Sequence, residues 1–270
     1  SVVFHEMSGP EIGKAVANGD LEVGSSATTP AVYQAKAGLP VKLVAARAGY
    51  KPDQEASFMM IREGVNISST EDFKGKTICT ETAGSMDELF FYSWADQNDI
   101  DVQEDIDYTY TSEESWESAF ASGSVDACVL SEPGRTYLER KDLAYVYEDV
   151  GGWKSAYRTA FVAFRDDYLE NNPEIAKEFL TAYAEAARYA RDNPDKRMEY
   201  VSEYTEIPED VLHDAATPTV PSVEDMKVNT TLINYVQDDM AKYGLIDEKA
   251  DIEPMVDNSI INEVQQELTG

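Results

Sequence analysis

Small hydroxyl-bearing residues stand at helix starts in four places where the chain has just left an expected strand. These are Ser8-Gly9-Pro10, Thr28-Thr29-Pro30, Gly84-Ser85 and Ser131-Glu132-Pro133. The chemistry open to such places is recognition. Free backbone N–H groups, the positive end of the helix dipole and a hydroxyl side chain together hold an anion or a polar acceptor. Each is equally an ordinary helix cap when taken singly. Ser25 and Ser26 lie just before Thr28 and Thr29. Glu132 would repel an anion and suit an amine or another donor, and Arg135, one helical turn on, could offset it. Tyr33, Trp94, Trp153 and Tyr157 are aromatic candidates for shaping a site, and each also suits a core. The candidate ligand-binding set is therefore Ser8, Ser25, Ser26, Thr28, Thr29, Gly84, Ser85, Glu132, Arg135 and Trp153, for a small polar organic solute of either charge.

Catalytic signatures are missing from the sequence. The two histidines, His5 and His213, lie far apart and beside no nucleophile motif. No C-x-x-C, H-E-x-x-H, Walker A or G-x-S-x-G pattern occurs, and Gly24-Ser25-Ser26 lacks the second glycine of a nucleophile elbow. The carboxylates show no EF-hand spacing and read as a solvated surface. The sequence predicts a protein that is not an enzyme and holds no metal or cofactor.

The elements that must position these residues come next. Hydrophobic residues make up 43% of the 270, enough for a packed core. No apolar run approaches the ~18 residues of a membrane span. No signal peptide is present, which fits a removed leader, a trimmed chain or a cytoplasmic protein alike. The charge is −30, from 52 acidic and 22 basic residues. This excludes nucleic acid and anionic membranes as partners, since both need basic patches. The acid is spread along the chain, a pattern that suits high salt, where screening shortens repulsion. Cys79 and Cys128 each sit in an expected strand. They are either two buried thiols or a disulfide, depending on whether their Cα atoms come within about 7 Å.

Ala17 to Tyr33 and Ala121 to Tyr137 share one order: Ala-x-Gly, a short strand, polar residues, proline, then tyrosine. Pro30 follows Ala17 by thirteen residues and Pro133 follows Ala121 by twelve. The repeat predicts two similar α/β lobes, one over about residues 1–66 and 155–270 and the other over 67–154. Expected strands are Val2 to His5, Leu21 to Gly24, Val41 to Ala46, Phe58 to Ile61, Lys76 to Cys79, Asp107 to Thr111, Val125 to Leu130 and Ala156 to Phe164, with a strand end at Tyr145 to Tyr147. They alternate with helices, which predicts mostly parallel sheets with crossover helices. Thr28 or Thr29 is expected to cap a helix with Pro30 at its first position. Ser85 and Glu88 have capping-box spacing. Asn172-Pro173-Glu174 opens a long helix with Ile175, Phe179, Tyr183, Ala187 and Ala190 on one face. A later helix, capped by Ser222, carries Val228, Leu232, Val236 and Met240. Asn66-Ile67-Ser68 and Asn229-Thr230-Thr231 are glycosylation sequons if the protein is exported.

At this point the sequence resembles the periplasmic-type solute-binding proteins of ABC importers, in the SsuA/THI5-like (NMT1) group that includes aliphatic sulfonate, taurine and thiamine-pyrimidine binders. The residues that carry the resemblance are Ser8 to Glu11, Ala17 to Gly24, Gly38 to Val41, Ser69 to Lys76, Gly123 to Ala127, Glu132-Pro133 and the Asn172-Pro173-Glu174 helix start. It covers nearly all of residues 7 to 245. It implies a two-lobe type II periplasmic-binding-protein fold closing by a hinge on a small molecule. It also implies an extracytoplasmic, lipid-anchored location, ABC permease subunits as partners and a monomer. Family members begin with a strand and helix ahead of the point where this chain starts, so the resemblance implies an N-terminal truncation. The alternative is an enzyme on the same fold, such as a menaquinone- or pyrimidine-biosynthesis protein, although the Cys-rich motif and histidines of the pyrimidine synthases are absent. An effector domain of a transcription regulator is a third class, without the preceding helix-turn-helix.

Overall fold

The computed structural model describes residues 2–5, 7, 9–49, 54–152, 154, 159–215 and 219–269. In chain order the elements are α1 (Gly9–Asn18), β1 (Val23–Ala27), α2 (Thr28–Lys36), β2 (Val41–Ala48) and β3 (Phe58–Arg62). Then come β4 (Thr77–Thr80), α3 (Met86–Gln97), β5 (Asp107–Tyr110), α4 (Trp116–Ser122), β6 (Ala127–Leu130), α5 (Gly134–Arg140) and β7 (Ala144–Asp149). The chain continues through β8 (Ala160–Arg165), α6 (Asp166–Asn171), α7 (Pro173–Asp192), α8 (Pro194–Thr205), α9 (Glu209–Asp214), α10 (Thr230–Lys242) and α11 (Ser259–Thr269). It divides into two units, one of Ser1–Gly49, Tyr157–Pro194 and Thr219–Gly270, the other of Tyr50–Ala156 and Asp195–Pro218.

The first unit holds a three-stranded sheet in the order β1-β8-β2. Both pairings are antiparallel, with Ser25 opposite Val162 and Ala46 opposite Phe161. The second unit holds a five-stranded sheet in the order β5-β4-β6-β3-β7. There β5, β4 and β6 run parallel, while β3 runs antiparallel to both β6 and β7. The α/β class and helix-flanked sheets stand, but the sheets are not mostly parallel: the three-stranded one pairs antiparallel throughout and the five-stranded one is mixed. The crossover through α2 sets β1 and β2 in one direction and leaves a gap between them. β8 arrives from far along the chain and fills that gap in the opposite sense.

Other expectations shift as well. Residues 2–5 form no strand, and Val2, Val3 and Phe4 are exposed. β3 lies in the sheet of the second unit, although the expected boundary put residues 1–66 in the first lobe. Residues 195–218 also fall in the second unit. Arg140 on α5 pairs there with Asp210 and Asp214 at the two ends of α9. α7 buries Ala176, Leu180, Ala184 and Ala187, a face one residue away from the expected one, and leaves Ile175 exposed. Its aromatics Phe179 and Tyr183 pack at the flank of the core. Small residues let the helix axis come close to its neighbour α11, so the close face is the alanine face. Ser222 precedes only a 3-10 turn, and Asn229 caps α10 by accepting the Thr231 N–H at 3.0 Å.

β3 is buried on both sides, as its unbroken apolar run requires. Phe58 and Met60 join Trp116, Leu130 and Leu138 in one cluster, while Met59 and Ile61 join Phe73, Phe91 and Trp94 in another. This is the period of two of a strand read in packing. The first unit is built on Val44, Val162, Phe164, Leu180 and Ile261.

Candidate functional site

β1 leads straight into α2, so the end of a strand and the start of a helix adjoin with no loop between. Gly24 lets α1 pack closely on β1, because a Cβ there would sit 2.4 Å from Ile12 Cγ2. Ala27, in extended conformation, occupies the position before α2 and supplies no side-chain cap. Thr28 and Thr29 are therefore the first two helical residues, with Pro30 third, and neither hydroxyl caps the helix. The first turn contains no acidic residue.

These released hydroxyls have different fates. The Thr28 hydroxyl donates to the Thr159 carbonyl at 3.0 Å. The Ser26 hydroxyl accepts from Gln34 Nε2 at 3.0 Å. The Thr29 hydroxyl, on a residue only 1% exposed, has no hydrogen-bond partner, and neither does Gln34 Oε1. Ser25 is half-buried on β1. A buried hydroxyl without a partner costs roughly 1–3 kcal/mol. The Thr29 hydroxyl stands beside a helix start that has no side-chain cap and no carboxylate in its first turn.

The helix starts of the second unit are arranged differently. Ser85 caps α3, accepting the Glu88 N–H at 3.1 Å. The Glu88 carboxylate reaches back to the Gly84 N–H at 2.7 Å. It also accepts from the Tyr110 hydroxyl at 2.6 Å and the Tyr108 hydroxyl at 3.4 Å. Tyr108 is bonded in turn to the Thr80 hydroxyl at 2.7 Å, and burial holds its acidity well below that of a free tyrosine. The residue preceding Glu88, Asp87, accepts from the Ser57 hydroxyl at 2.6 Å. The start of α3 thus carries its own anion. At α5, Glu132 precedes Pro133 through a cis peptide bond. Its carboxylate accepts the Thr136 N–H at 3.1 Å and hydroxyl at 3.0 Å and pairs with Arg135 at 3.2 Å. Arg135 also pairs with Glu139 at 3.0 Å and lies 5.2 Å from the centre of the Phe58 ring.

The structure therefore brings Ser25, Ser26, Thr28 and Thr29 together in the first unit and Gly84 with Ser85, and Glu132 with Arg135, in the second. Ser8, Trp153 and Tyr157 lie outside the described residues. Tyr33 donates to the Leu245 carbonyl at 3.1 Å, and Trp94 is a core residue whose indole N–H meets Glu148. Sequence reasoning missed Gln34 as the partner of Ser26. It also missed Tyr108 and Tyr110 as partners of Glu88. Their spacing of two on an expected strand was the available signal, since it sends both side chains to one face. Among the described residues no three His, Cys, Asp or Glu side chains are grouped to hold a metal ion, and no helix is long and apolar enough to cross a membrane.

Comparison with known proteins adds a lineage. The profile of the NMT1/THI5-like family matches residues 4–197. A protein of Bacillus subtilis (strain 168) named for binding aliphatic sulfonates is 24% identical over 265 residues, covering 96% of this chain and 77% of that protein. The binding protein YtlA of the same organism is 26% identical over 144 residues, which is 53% of this chain but only 43% of its own length. Among solved structures, the alkanesulfonate-binding protein SsuA from Xanthomonas axonopodis pv. citri, bound to MOPS, superposes with a TM-score of 0.77 at 17% identity, covering 92% of this chain and 84% of that one. The desulfurization enzyme DszB superposes with a TM-score of 0.69 at 13% identity, covering 92% of this chain and 87% of its own.

Proposed function

This chain belongs to the NMT1/THI5-like family, and on that premise we propose that it is a solute-binding protein that captures a sulfonate-like organic anion for an ABC importer. The observation that carries this reading is the start of α2. It has an uncapped first turn, no acidic residue and a buried Thr29 hydroxyl without a partner. A sulfonate head group offers only acceptor oxygens and a delocalised charge. Backbone N–H groups and hydroxyls satisfy it without a formal cation. A taurine-like ligand presents the same head group. The names of the sulfonate-binding relatives support the choice over a pyrimidine. The start of α3, which already holds the Glu88 carboxylate, does not compete for that head group.

The proposal includes a two-lobe division along the units above, a monomer, ABC permease subunits as partners and an extracytoplasmic location with a lipid anchor on the full-length protein. Salt adaptation belongs to it on the charge of −30. The likeness to DszB keeps one other reading in view, an enzyme on this fold. Both cysteines are fully buried inside the sheet, which speaks against a cysteine nucleophile in such an enzyme. Isothermal titration with alkanesulfonates, taurine, thiamine-type pyrimidines and nitrate separates these readings. Saturable binding of a sulfonate without turnover supports the proposal; turnover, or binding of a pyrimidine alone, overturns it.

A further inference from the structure

Cys79 and Cys128 are the two cysteines of the chain, and the fold sets them side by side. Cys79 on β4 and Cys128 on β6 are register partners in a parallel ladder. Both thiols are free and fully buried, and both side chains join the same cluster on one face of the sheet, with Phe58, Met60 and Leu130. The Cys128 thiol donates to the Val129 carbonyl at 3.8 Å. Neighbouring strands lie about 4.8 Å apart, which falls inside the roughly 4.4–6.8 Å separation of Cα atoms that a disulfide spans.

We propose that Cys79 and Cys128 are joined by a disulfide when the chain folds in an oxidising compartment. The oxidant is the disulfide of a thiol–disulfide oxidoreductase or of oxidised glutathione. One cysteine thiolate attacks that disulfide and forms a mixed disulfide, releasing one thiol of the oxidant. The second cysteine thiolate then attacks the protein sulfur of the mixed disulfide and displaces the other thiol. The protein loses two protons and two electrons, and the oxidant leaves as two thiols. The proposal rests on the extracytoplasmic reading only for the source of the oxidant.

The fold also dictates when this happens. Thiolates are the nucleophiles, and burial, with Cys79 alongside, pushes the Cys128 thiol well above the usual range. Once β4 and β6 have paired, neither sulfur is accessible to an oxidant. The bond is therefore made during folding, before the sheet closes. It ties off a loop of roughly 50 residues containing α3, β5 and α4, which removes freedom from the unfolded chain.

The full chain, unfolded in denaturant with reductant and then refolded with oxidised and reduced glutathione, tests this directly. The expected product is monomeric, has native circular dichroism, is lighter by two hydrogens and shows no titratable thiol in denaturant. Adding reductant during unfolding should lower its thermal midpoint by several °C. Reduced protein folded first and then given the same glutathione should keep both thiols. Free thiols, glutathione adducts or intermolecular dimers after oxidative refolding would overturn the proposal. So would a crosslinked product that has lost the native spectrum. None of these readouts depends on the ligand, so a failure to bind sulfonates leaves the result intact.

Discussion

Replacing Thr29 by valine separates a hydroxyl kept for a ligand from one that holds the fold. The two side chains have nearly the same shape, and the Thr29 hydroxyl makes no hydrogen bond within the protein. Removing it relieves the desolvation cost of an unpaired polar group, about 1–3 kcal/mol. Partial relaxation of the site reduces that gain, so the ligand-free variant should be more stable by about 1 kcal/mol, or some 2–4 °C in thermal midpoint. Binding should move the other way. A hydrogen bond to a charged acceptor contributes about 1.5–3 kcal/mol, so affinity for a sulfonate should fall roughly 10- to 150-fold. Thr28→Val is the internal control. Its hydroxyl already donates to the Thr159 carbonyl at 3.0 Å, so the variant should lose about 1 kcal/mol of stability. Differential scanning calorimetry without ligand and titration calorimetry with ligand give both numbers. A Thr29→Val protein that is less stable than the parent yet binds with unchanged affinity would refute the reasoning.

Three further outcomes follow from the structure. Asp72 accepts from the backbone N–H groups of Ser68 and Ser69, both at 2.9 Å, and these bonds lower its pKa to about 2. Because the folded value lies below the unfolded ~3.9, its contribution is present at neutral pH and is lost as pH falls from about 4 to about 2. The stability gap between the parent and Asp72→Asn should close over that window in acid titrations of the unfolding midpoint, and a gap constant with pH would contradict the assignment. Gly134→Ala places a Cβ 2.4 Å from Trp116 Cζ3, on a ring held by its own bond to the Thr111 carbonyl at 2.9 Å. It should lower stability by about 1–3 kcal/mol in denaturant unfolding. The charge of −30 should make the unfolding midpoint rise from low to molar KCl as screening relieves self-repulsion, and a flat or falling midpoint would exclude that role for the surface.

Local grammar was legible where a short stretch decides its own conformation. Ser85 with Glu88 fixed the start of α3, and Asn172-Pro173 fixed the start of α7, because caps and prolines act within one turn. The start of α2 misled for the same reason. Proline is compatible with any of the first helical positions whose N–H has no partner, so Pro30 does not say which residue comes first. The helix begins two residues earlier than expected, and that shift is what frees the Thr29 hydroxyl. Sheet direction was not legible, since it depends on β8 entering between two strands more than a hundred residues away in sequence. Glu88 read as a capping residue, but its tyrosine partners come from β5 and its second role appears only once that strand is placed. The cysteines stayed undecided because nothing local sets the register of β4 against β6.

A crystal structure of the protein with a bound alkanesulfonate tests the central claim most directly. The account predicts a sulfonate oxygen about 2.6–3.0 Å from Thr29 Oγ1, with the head group at the start of α2 and the Glu88 carboxylate still on the Gly84 N–H. A sulfonate bound elsewhere, with the Thr29 hydroxyl still without a partner, would contradict it.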